Sequence, residues 1–229
     1  MSTDLKQQET WPEPVIRRHP RARRMKLRVD PESGQAQLTL PTGLAERAGH
    51  AFIRENESWI AAQRARLIPR QPFIHGLEIP LLGQPVAIVH DPDMGRKVLL
   101  DGVLLRVGGP ADHVNRRVTE WLKSQARDRL IRLAPPLAAQ IGRQVGQIRV
   151  ADPRTRWGSC SGRGTLSFNW RLVLAPEHVF DYVCAHEVAH LKHMDHSPAF
   201  WAVVARLHDD PSRAQAWLKD NGRALRGWG

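Results

Sequence analysis

Six histidines and acids crowd one short stretch, "CAHEVAHLKHMDHSPAFW" at residues 184–201, and a helix runs into it. Pro176 and Glu177 form a helix start, since proline suits the first helical position and an acid suits the N-terminal dipole. From there Val179, Tyr182, Val183, His186 and His190 recur on one stripe of a helix. Positions i and i+4 lie about 40° apart and one turn along the axis, so His186 and His190 can hold a single ion between them. Glu187 projects from the edge of that face, within reach of a metal-associated water but outside the ligand set. This is the mechanical content of the HExxH pattern, here "HEVAH". The alternative, a polar cluster satisfied without metal, has to pay for unpaired imidazoles on a core-facing stripe. Neutral imidazoles suit Zn²⁺, which in catalytic sites takes three protein ligands and leaves a position open.

A third ligand is therefore sought. No glutamate follows Glu187, which disfavours a carboxylate from a later helix. His193 shares the face of His186, but in a continuous helix it lies about 10 Å further along the axis. His196 is the preferred donor if the helix breaks near residue 192 and the chain turns back, as Asp195 and Pro198 suggest. Asp209 and Asp210 are more distant alternatives.

The rest of the chain predicts an α+β fold. Residues 1–15 are polar and aperiodic, as expected of a disordered tail. A β-rich N-terminal region is predicted over 16–110. It comprises a hairpin over 25–41, a helix over 44–67, and further hairpins in "FIHGLEIPLLGQPVAIVHD" and "RKVLLDGVLLRV". A catalytic domain is predicted over 111–229. It opens with a helix of about twenty residues carrying Val114, Val118, Trp121, Leu122, Ala126, Leu130 and Leu133 on one face. Two strands around the Gly/Ser-rich turn of "GQIRVADPRTRWGSCSGRGTLSFNWRLVLAP" follow. The strand "GTLSFNWRL" is expected to border the cleft and to hold an extended peptide by β-augmentation. Trp157 and Trp170 read as core, and Cys160 and Cys184 as small apolar residues, with Cys184 turned from the metal.

The apolar runs are too short for a bilayer span, and no secretory h-region begins the chain. Two cysteines fit a reducing cytoplasm, the expected location. Lys and Arg number 34 against 23 Asp and Glu, a net charge of +11. The densest basic block, "RRHPRARRMKLR", makes Arg17, Arg18, Arg21, Arg23 and Arg24 candidates for contact with nucleic acid, or else a solvated strand edge.

Several separate blocks in order, "GLEIPLLGQP" (76–85), "WLKSQAR" (121–127), "RWGSC" (156–160), "LSFNWRLVLAP" (166–176) and "DYVCAHEVAHLKHMDHSPAFW" (181–201), resemble the YgjP-like, SprT-related zinc metallopeptidases from about residue 17 to the C-terminus. The resemblance implies a zincin-like core, zinc on His186, His190 and His196, and Glu187 as general base. It also implies a protein or peptide substrate. The motif then suggests Arg156, Asn169 and Tyr182 as candidates for oxyanion or substrate contacts, the alternatives being that Arg156 and Asn169 fix the turn and strand end and that Tyr182, on the buried stripe, belongs to the core. Two other functions remain open: a DNA-associated protease acting on nucleoprotein substrates, and a non-peptidase metal-dependent hydrolase. Phosphoester chemistry usually employs two metals and more carboxylates than this site has, which counts against the last.

Overall fold

The computed structural model describes residues 11–30, 33–68 and 70–229. Of the tail predicted to lack structure, residues 1–10 lie outside these, while Val15 already opens a strand. Packing divides the chain into two units, one ending at Pro69 and the other starting at Arg70.

In the first unit β1 (Val15–His19), β2 (Lys26–Val29) and β3 (Ala36–Pro41) form a sheet of order β1-β3-β2. The β2-β3 pairing is the predicted hairpin, and β1 runs parallel to β3. Alternation along β3 buries Ala36, Leu38 and Leu40. The single helix predicted over 44–67 is two, α1 (Glu46–Glu55) and α2 (Glu57–Arg64). It breaks at Asn56, whose side-chain amide donates to the Phe52 carbonyl at 2.7 Å while its backbone leaves helical angles. Asparagine offers the backbone this local alternative to a helix. Ile53 and Ile60 complete a small core with Ala36 and Leu38.

The second unit opens with β4 (Glu78–Leu81), β5 (Gln84–His90), β6 (Val98–Asp101) and β7 (Leu104–Val107), in order β4-β5-β7-β6. The predicted boundary near residue 110 is thus corrected to Pro69. The reason is packing: Ile79, Val86, Ile88, Leu105 and Val107 are buried in one core with the face of α3 (Val114–Gln140). That helix has 27 residues, longer than predicted, and passes through Pro135 and Pro136. Leu130, Ala134 and Ala138 are fully buried along it, and this packing keeps the helix intact despite the lost N–H groups.

After α3 come β8 (Gln147–Ala151), β9 (Gly158–Cys160) and β10 (Thr165–Asn169), three strands where two were predicted. Their order is β8-β10-β9. The strand predicted to border the cleft, β10, is therefore central, and β8 and β9 are the edges. A 3₁₀ turn (Trp170–Leu174) leads into α4 (Glu177–Ala189), α5 (Pro198–Leu207) and α6 (Pro211–Leu225). Both ends of this unit are tied together, because Gln71 exchanges backbone hydrogen bonds with Gly227 and Gly229 and Phe73 stacks on Trp228. Among the described residues no helix is long and apolar enough to cross a membrane.

Candidate metal centre

Helix α4 is almost wholly buried, with Val179, Phe180, Val183, Cys184, Ala185, Val188 and Ala189 at 4% exposure or less. Such a helix carries its polar residues into the core unless the chain gives them something to do. It ends at Ala189, about a turn earlier than predicted, with His190 at its C-terminal cap. The chain then folds back through Lys192 and His193, whose N–H groups donate to the Ala189 carbonyl. Ser197 caps α5 by accepting from the Phe200 N–H, and Pro198 takes the first helical position. These two helix ends place His196 opposite α4.

His186, His190 and His196 offer ring nitrogens that lie within 4.8 Å of one another. The Nε2 atoms of His186 and His196 are 3.3 Å apart. Two nitrogens bound at about 2.05 Å around a tetrahedral ion would stand about 3.3 Å apart. The other ring nitrogens of His190 and His186 have partners of their own. His190 Nδ1 lies 3.0 Å from the His193 carbonyl, which can only accept, so Nδ1 carries the proton and Nε2 is left as a lone pair. His186 Nδ1 lies 3.5 Å from the Tyr182 hydroxyl. Phe200 stacks on His190 with ring centroids 4.4 Å apart and meets His186 and His196 edge-on. Burial first, then the neighbouring His190 and His196, lowers the His186 pKa to about 4 and keeps it in the neutral form that binds metals. The donor set fits a divalent ion of borderline softness.

Glu187, on the same turn, is 5% exposed. Burial pushes its carboxyl up to about 7, and the charge of Arg156 offsets this only in part. Gly158 makes room for it, since a Cβ there would stand only 2.4 Å from Glu187 Oε1. The glycine of "RWGSC" is thus a requirement of the carboxylate's position, a role the sequence alone did not disclose.

The remaining candidates separate. Arg156 is exposed, just before β9, and acts electrostatically on Glu187. Asn169 fits the structural alternative: it is buried, its Oδ1 accepts from the Arg171 N–H, and its Nδ2 donates to the Pro153 carbonyl. That amide is spent on holding the turn. Tyr182 is buried, and its hydroxyl lies 3.5 Å from the outer nitrogen of His186, where it can orient that ring. His193 contributes its carbonyl. Cys184 is fully buried, and burial above all raises its thiol pKa. In the first unit Arg17, Arg21, Arg23 and Arg24 are exposed, whereas Arg18 donates to the carbonyls of Thr42 and Leu44 and so holds its own fold.

No curated protein matches the chain. Among solved structures, the metallopeptidase zymogen abylysin of Pyrococcus abyssi is similar at 22% identity over 46% of this chain and 96% of its own, with a TM-score of 0.32. The family model described as YgjP-like, metallopeptidase domain, matches residues 23–221. This span includes the three converging imidazoles and the buried carboxylate between them, and the chain belongs to the YgjP-like metallopeptidase family.

Proposed function

We propose that this metallopeptidase is a zinc-dependent endopeptidase in which His186, His190 and His196 hold the ion and Glu187 is the general base. Bound there, zinc supplies Lewis acidity that polarises a carbonyl and brings the pKa of water down toward about 7. Glu187 takes the proton from the attacking water and returns it to the leaving amine. A carboxyl pushed up to about 7 by burial is matched to that task near neutral pH. Arg156, exposed beside this carboxylate, is the candidate to meet charge developing on the carbonyl oxygen. The observation that carries the reading is the convergence of three imidazoles beside one buried carboxylate.

The free edge of β9 supports an extended substrate. In its antiparallel ladder with β10, the Asn169 N–H donates to the Trp157 carbonyl and the Ser161 N–H to the Thr165 carbonyl. Hydrogen-bonded and non-bonded pairs alternate, so Ser159 faces β10 and the N–H and C=O of Gly158 and Cys160 turn to the open side. A peptide backbone can pair with them next to Glu187.

Metal analysis and hydrolysis of casein test this reading. Glu187→Gln is expected to keep its zinc and lose at least about a hundredfold in rate, and His190→Ala to lose both metal and activity. A fully active Glu187→Gln rejects the base assignment.

A second reading has one specific support, the exposed run Arg17, Arg21, Arg23 and Arg24. With it the enzyme engages DNA and cleaves nucleoprotein substrates. DNA affinity should then fall steeply with salt, and casein cleavage should rise or shift on adding DNA.

A further inference from the structure

Besides holding a place in the proposed metal site, His190 borders a cavity. The cavity, of about 340 Å³, is lined by Arg143, Ser161, Arg163, His190, Leu191 and Met194, among others. His190 is common to this cavity and the metal centre, and Ser161 continues from the free edge of β9. We propose that Arg143 and Arg163 form a carboxylate-binding subsite, selecting peptides with Asp or Glu about three residues from the bond cleaved. The proposal rests on the peptidase reading above and names its substrate class.

Both arginines are exposed, yet both stand on fixed backbone. Arg143 follows Gly142, which has φ +68°. The Gly142 N–H donates to the Ala139 carbonyl and the Arg143 N–H to the Ala138 carbonyl, the double bond of a Schellman motif closing α3. Arg163 sits in the β9-β10 turn, tightened by the Gly164 N–H donating to the Ser161 carbonyl and by the Thr165 N–H donating to Ser161 Oγ. The two loops are stapled together, because the Gly146 N–H donates to the Gly164 carbonyl at 3.0 Å.

Among the described residues neither guanidinium has an ion-pair partner. The near acid in sequence, Asp195, accepts from the Ser197 N–H instead. Two unmatched guanidinium groups lining one cavity, together with Leu191 and Met194, present paired donors to a planar anion. A carboxylate is favoured over a nucleic-acid phosphate because the cavity continues a strand edge suited to a peptide backbone. Gly158 abuts Glu187, and Ser161 lies three residues further, about 10 Å at strand spacing. This sets the distance of the acidic residue from the scissile bond.

The experiment uses the full chain as zinc-loaded Glu187→Gln. Fluorescein-labelled peptides of one length carry Asp, Asn or Lys at each of the four positions on either side of the centre. Anisotropy should show Asp binding about five- to tenfold tighter than Asn at one position. Arg143→Ala and Arg163→Ala should each remove most of that preference and leave affinity for the Asn peptide unchanged. In the wild-type enzyme the same preference should appear in KM, with kcat little altered. Equal binding of Asp and Asn peptides overturns the subsite, as does a uniform loss for all peptides in the arginine variants. So does binding of a DNA oligonucleotide that needs both arginines when no Asp peptide prefers the site. Cleavage without an acidic preference removes the subsite and leaves the peptidase reading standing. A preference for Asp in binding without any cleavage does the reverse.

Discussion

The two units bury polar groups very differently. In the unit ending at Pro69, the described residues bury only apolar side chains, and their arginines lie at the surface or, like Arg18, on backbone carbonyls. In the unit starting at Arg70, Arg117, Asn169, Arg171 and Glu187 are all buried. Three of these four are pinned by hydrogen bonds. Arg117 donates to the Gly108 carbonyl, Asn169 bridges Pro153 and Arg171, and Arg171 reaches Asp152 and the Trp228 carbonyl. Glu187 is the exception, because among the described residues no donor reaches its carboxylate. A buried polar group with partners is scaffold, and one left without them is available for chemistry.

The sharpest way to break this comparison is Gly158→Ala. The three atoms nearest to the added Cβ all belong to the Glu187 side chain, which it displaces. On the proposed function, activity should fall at least about a hundredfold while the thermal midpoint and metal content hardly move, since only the proposed base is misplaced. An unfolded or zinc-free variant would show that Glu187 is also structural.

Next in size is a matched pair of core truncations. Leu38 and Leu130 are both fully buried, and replacing either by Ala should cost about 3 kcal/mol. The small core around Ala36, Leu38, Ile53 and Ile60 has little to spare. Leu38→Ala should therefore open the first unit to limited proteolysis and hydrogen exchange, while Leu130→Ala lowers the melting point of a second unit that stays folded. Equal protection of both units in both variants would remove the contrast in core size as an explanation.

The smallest effect concerns the pinned groups. Burial works to raise the pKa of Asp152, but the hydrogen bond and charge of Arg171 outweigh it and hold the carboxyl below its usual value. The folded pKa lies below the unfolded one. This pair thus contributes its full stability above about pH 4 and loses it as pH falls through the folded value. Asp152→Asn should cost about 2 kcal/mol, less than a fully buried pair because Asp152 is half exposed. Urea midpoints between pH 5 and pH 2 should then lose part of their acid slope. An unchanged slope in Asp152→Asn would assign the acid sensitivity elsewhere.

The site was legible to the extent that its signals are local. His186, Glu187 and His190 lie within five residues on one helix, and helical periodicity alone puts them together. His196 required a break in the chain, which Asp195 and Pro198 announced, although the helix stops at Ala189 before reaching it. Gly158, which meets Glu187 from 29 residues away, had no local signal, and neither did the pairing of Arg143 with Arg163. The amides of Asn169 and the hydroxyl of Tyr182 look equally free in a sequence, and only their partners separate scaffold from neighbour of the metal. The hairpins β4-β5 and β6-β7 were readable as hairpins, but not as parts of the second core, because alternation tells which face is apolar and not what covers it.

By itself, the order of residues determined the helix that presents two imidazoles and a carboxylate, the α+β mixture and the excess of basic charge, all of which follow from short-range spacing and composition. The tertiary structure decided which strand has an open edge, where the chain divides, which buried polar groups are satisfied and which two distant arginines share a wall. Those outcomes depend on contacts between residues far apart in sequence. Their selection is made by the burial of whole faces against one another, a property no local window contains.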